Sequence, residues 1–281
     1  MRLKRAFTIV ELLTVLAVLA LLVGLLIPSL IMARNAARVA KQRVQLASID
    51  QALLAFRNDD GDYPPLPPKE PDTGMPVEPG YCGAQMLAEA FFGLDLLGYY
   101  PETSWNGDIS EYTMGAGSVL ADRKKRYLDL ESVDVVTVND LYGEKGQIGQ
   151  LVSGTYVICD VFGRMDVTIG TEQKKVGLPI LYFKADPSKF SFSMGTLNDN
   201  VYDIRDNLQL IVTQMLFDQN VNNLPANAHK IMNNFFLEEY KIVDPKITTK
   251  NWPHRPDSYI LISAGLDGLY GTSDDITNFG R

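Results

Sequence analysis

From Phe7 to Ile27 the chain runs 21 residues with a single charge, Glu11, and that run limits what the whole molecule can be. About 20 apolar residues wound as a helix cross the hydrocarbon core of a bilayer. A carboxylate inside such a span costs roughly 3 kcal/mol on insertion scales, so it needs a purpose. A secretory signal has an apolar core of about 7–15 residues followed by a small-x-small cleavage site. This core is longer, and Pro28 to Arg34 offers no such site. A plain signal anchor with Glu11 snorkelling to the interface is the simple competitor. It gives no reason for the residue order around Glu11. Charge alone does not orient the span, because Arg2, Lys4, Arg5 and the terminal amine nearly balance Arg34, Arg38, Lys41 and Arg43.

The order Arg5-Ala6-Phe7-Thr8-Ile9-Val10-Glu11 resembles the cleavage and methylation signature of type IV prepilins and type II secretion pseudopilins. That resemblance implies a cut between Ala6 and Phe7 by a membrane prepilin peptidase, and N-methylation of Phe7. It also implies a filament in which Glu11 pairs with a neighbouring subunit's amine. The family usually has Gly before the cut, and Ala6 is the next smallest side chain. Residues 1–6 then form a leader, 7–57 a long helix that is transmembrane over 7–27, and 58–281 a globular head. The implied location is the inner membrane, single-pass, with the amino terminus cytoplasmic and the head periplasmic. The implied partners are further copies of this chain, other pilins or pseudopilins, an inner-membrane assembly platform and membrane lipid.

About 220 residues remain beyond the leader and the helix, enough for one sizeable core. The formal net charge is −8, and losing Arg2, Lys4 and Arg5 would take it to −11. An acidic exterior argues against nucleic acid as a partner, because phosphate contacts need clustered Lys and Arg. The basic cluster Arg34 to Arg43 directly follows the span and suits lipid headgroups or acidic faces of neighbouring subunits. The two cysteines, Cys82 and Cys159, form no CxxC or Cys/His cluster. An extracytoplasmic location permits a disulfide between them, while two buried thiols are the default.

Past Pro28, Leu46, Ile49, Leu53 and Phe56 repeat at three- and four-residue steps, one apolar stripe on a helix that is otherwise polar. The spacing predicts one helix over about 7–57, weakened at Gly24 and bent at Pro28. The resemblance gives Pro28 a second meaning, a place where pilin helices melt locally on assembly. Asn58-Asp59-Asp60-Gly61 reads as the helix's end, with Gly61 as a left-handed cap. Seven prolines between residues 61 and 80 make an irregular connection. Helices are expected over 84–97, 204–217 and 230–242, and strands over 155–161, 178–184 and 258–263. A helix first, strands afterwards and extra helices between them indicate an α+β head with an antiparallel sheet, and the resemblance implies that the whole is pilin-like. The run Asp122 to Arg126 reads as a solvated turn.

The chain closes on Ser263-Ala264-Gly265-Leu266-Asp267-Gly268-Leu269-Tyr270-Gly271-Thr272-Ser273-Asp274-Asp275-Ile276. Hard oxygens on a tight glycine-bearing loop are what Ca²⁺ takes, although the spacing is not that of an EF-hand. The segment resembles the carboxy-terminal calcium loop of major pseudopilins. The resemblance maps the ligands to Asp267, Asp274 and Asp275, with carbonyls from Leu269 to Ser273. An acidic solvated turn is the competing reading. No Gly-x-Ser-x-Gly, Walker loop, HExxH or dinucleotide fingerprint occurs, and His229 and His254 sit in no catalytic context. A structural subunit is therefore expected rather than an enzyme. A membrane-tethered binding or enzymatic domain that does not polymerise is the alternative.

Overall fold

The computed structural model describes residues 9–67, 69–70, 74, 80–113, 116–143, 151–237, 240 and 242–279. It divides into two compact units, Met1–Ala40 and Lys41–Arg281. The first is, over its described residues, the leading part of helix α1 (Ile9–Asp60), with Pro28 inside the helix. Leu, Val, Ile and Ala fill this stretch, and strong helix formers outweigh one proline.

In the second unit α1 turns its stripe onto the head. Gln42, Gln45, Leu46, Ile49, Ala52, Leu53 and Phe56 are buried, at the three- and four-residue steps that place them on one face. Gly61 ends the helix at φ +88°, and its amide returns to the Arg57 carbonyl at 2.8 Å. The neighbouring acids are tied down as well. The Tyr127 hydroxyl donates to Asp59 at 3.0 Å, and Lys184 pairs with Asp62 at 2.7 Å.

The head is α+β, and the pairs of strands described below are antiparallel. Among the described residues, β1 (Asp134–Thr137) pairs with β2 (Tyr156–Cys159), and β3 (Met165–Ile169) forms a hairpin with β4 (Glu172–Val176). A third sheet runs β5 (Leu181–Lys184), β6 (Tyr259–Ser263), β7 (Ile276–Thr277). A bridge between Cys159 and Pro179 links the first sheet to the third, with Asp160 N–H donating to Leu178 and Ile180 N–H to Ile158, each at 2.8 Å. All five residues of β6 are buried, so the centre of the third sheet is the floor of the core.

Several elements differ from the sequence expectation. Helix α2 (Gly83–Phe92) stops at Gly93, not near residue 97. Gly93 lies at φ +72°, and a Cβ there would come within 2.1 Å of the Gly98 carbonyl oxygen. The segment 204–217 is a 3-10 turn (Ile204–Asn207) running into a helix, Leu208–Asn220. Of 230–242, only Ile231–Asn234 is α-helical among the described residues. Arg123 also leaves the expected solvated turn. Its side chain is 5% exposed, pairs with Asp95 at 2.6 Å and donates to the Tyr112 carbonyl at 2.6 Å.

Candidate functional site

Two places carry the chemistry read from the sequence. In the first, α1 bears a window of mean hydropathy 2.8, long and apolar enough to cross a membrane. Large apolar side chains are exposed around the whole helix, from Ile9 and Leu12 to Ile31 and Met32. A helix apolar on every side needs oil or other helices around it. Glu11 lies in its first turn and is exposed, and the Thr14 hydroxyl donates to the Glu11 carbonyl at 3.0 Å. Arg34, Arg38, Lys41 and Arg43 are all exposed. Ala6 and Phe7 lie outside the described residues.

The second place is the loop after β6. Gly265, Gly268 and Gly271 all have positive φ, the backbone that brings Asp267 and Asp274 together. The Asp267 amide donates to Asp274 Oδ2 at 2.9 Å, Leu269 N–H to Asp267 Oδ1 at 2.8 Å, and the Thr272 hydroxyl to Asp274 Oδ1 at 2.6 Å. Burial and the adjacent Asp274 carboxylate push the Asp267 carboxyl above the usual range. Burial acts against Asp274 too, but the Thr272 hydroxyl and Asp267 amide hold it below that range. Two crowded carboxylates sharing one environment ionise as a pair. Asp267, Gly268 and Leu269 also line a cleft of about 260 Å³ together with Gln214, Asp218 and Asn222.

Asp275 is placed elsewhere. It is 5% exposed, and its Oδ2 accepts from the Tyr240 hydroxyl and from the Gly271 amide, the latter at 2.8 Å. Its Oδ1 is buried without a hydrogen-bond partner. Burial pushes this carboxyl up to about 7. Among the described residues no three His, Cys, Asp or Glu side chains gather in a metal-holding group. As a test of calcium, the loop thus supplies two converging carboxylates, while the third ligand drawn from the resemblance turns inward.

Several side chains that position this loop escaped the sequence reading. His229 Nδ1 accepts from the Tyr270 amide at 3.1 Å while Nε2 meets Asp218 Oδ2 at 2.7 Å, so both ring nitrogens are engaged. Asn234 donates to the Gly271 carbonyl at 2.8 Å. Nothing in the local sequence marks these residues, because their partners lie some 35 to 41 positions away. Cys82 and Cys159 are both free and buried, so the permitted disulfide is not formed. Burial pushes the Cys82 thiol up to about 12, which makes it a poor nucleophile.

No protein-family profile, curated protein or solved structure matches the chain.

Proposed function

We propose that this chain is a filament subunit of the pilin or pseudopilin kind. The apolar half of α1 holds the precursor in the inner membrane, with the head on the periplasmic side. Prepilin peptidase cuts before Phe7 and the new amine is methylated. An assembly platform then packs the apolar helices of successive copies, with other pseudopilins, along a common axis. The observation that carries this reading is a helix apolar on all sides with one acid in its first turn, in the register of the signature at residues 5–11. In that packing Glu11 balances the ammonium of Phe7 on an adjacent copy. A buried pair of this kind gains little net energy, but it heavily penalises any register that leaves one charge alone.

The C-terminal loop is proposed to take Ca²⁺, as the resemblance implies, but through Asp267 and Asp274 with loop carbonyls, without the third carboxylate, Asp275, that the resemblance adds. Bound there, the ion neutralises two crowded carboxylates. Mass spectrometry of the mature amino terminus tests the main reading. N-methyl-Phe7 is the expected result, while an intact Met1 points to a tethered domain that does not polymerise. For the loop, the melting temperature of the full chain in detergent should fall on adding EGTA, and an unchanged value rejects calcium.

A further inference from the structure

We infer that Asp275 is a latch of the head and not one of the cation's ligands: held by Tyr240 and Gly271, it fastens the C-terminal loop to the segment that carries His229, Asn234 and Tyr240. Its ligand half rests on the calcium reading above. Its latch half does not.

The argument starts from where the three acids face. Asp267 is exposed and Asp274 half-buried, whereas Asp275 is buried. An ion arriving from water meets the first two. Asp275 already has two protein donors on one oxygen, a hydroxyl and an amide. A carboxylate so engaged is fixed in place by the protein.

The residues it engages belong to a broader clasp. The amides of Lys230 and Ile231 donate to the Tyr270 carbonyl at 2.8 and 3.1 Å. The Tyr270 amide returns a hydrogen bond to His229, and Asn234 reaches the Gly271 carbonyl. Segment and loop also touch with no gap, since a Cβ on Gly271 would lie 2.0 Å from the Ile231 nitrogen. Tyr240 on Asp275 closes the far end of this clasp.

The experiment uses the full chain in detergent, with calcium affinity measured calorimetrically and melting followed in EGTA. Asp275→Asn keeps an acceptor for Tyr240 and Gly271 but loses the charge. It should melt near the wild type and bind calcium within about twofold of it, whereas Asp274→Asn should weaken binding about tenfold or more. Asp275→Ala and Tyr240→Phe should each lower the melting temperature, and the double variant should fall no further than the larger single effect. Calcium binding weakened in Asp275→Asn as much as in Asp274→Asn overturns the inference, as do single melting shifts that add in the double variant. If the wild type binds no calcium, the calcium reading falls, and the melting cycle alone decides the latch: non-additive shifts uphold it, additive shifts reject it.

Discussion

The two stretches of α1 are one helix under two different demands. Before Ala33 its large apolar side chains stand exposed on every side, as at Leu19, which is 51% exposed. From Gln42 onward one stripe is shut in the core, with Leu53 and Phe56 at 0%. Backbone geometry is the same in both, so side-chain pattern alone decides what must surround each part. The second stretch also makes polar contacts with the head. Gln45 donates to the Cys159 carbonyl at 2.9 Å, and Gln42 accepts from the Val161 amide at 3.0 Å. Asp50 accepts from the Tyr259 hydroxyl and the Asn278 side-chain amide, each at 2.8 Å. Hydrophobic area holds the docked stretch down, and these polar contacts fix where it lies.

The largest effect should come from the exposed stretch. Glu11→Ala is expected to be inserted and cleaved normally yet to yield almost no sheared fibre on immunoblot. Fibre at wild-type levels would remove Glu11 from assembly. Next, Leu53→Ala should cost about 2–5 kcal/mol of head stability in urea melts, while Leu19→Ala should leave the head unchanged. Equal losses at both positions would erase the distinction between the stretches. Gln42→Leu should cost about 1 kcal/mol in the same melts, because it takes the hydrogen-bond acceptor from the half-buried Val161 amide. A neutral outcome would mean that the Gln42 contact does not help to dock the helix.

A subtler effect concerns Asp160, which lies between the two glutamine contacts. Burial pushes its carboxyl up to about 7, against hydrogen bonds from Phe162, Ser263 and Leu178. A raised folded value means that the native state holds the proton longer than the unfolded chain does. Its stabilising share is therefore full below the ordinary 3.8 and is lost as pH rises through about 7. Asp160→Asn should flatten melting temperature against pH across that window. An unaltered slope would show that Asp160 ionises freely in the fold.

The helix and its stripe were legible because periodicity is local, and strands β2, β5 and β6 because they are rich in β-branched or aromatic residues. Hairpin β3–β4 was not, since Glu172 to Lys175 are all exposed and carry no apolar alternation. Its ladder, with pairs such as Lys175–Asp166 at 2.9 Å, gave no signal within one segment. Helix α2 was overextended because Leu94 and Leu97 keep the period past Gly93, where the backbone turns left-handed. At the loop, the three acids were visible but their separation into a pair and a buried third was not. The residue that divides them, Tyr240, is 35 positions from Asp275.

The two glutamines also have a mechanical consequence. One gives an amide proton and the other receives one, so they act as a keyed joint with opposed teeth. Turning the shaft by a single residue step, about 100°, would disengage both at once. Torque on residues 41–60 should thus be passed to the globular part without slippage.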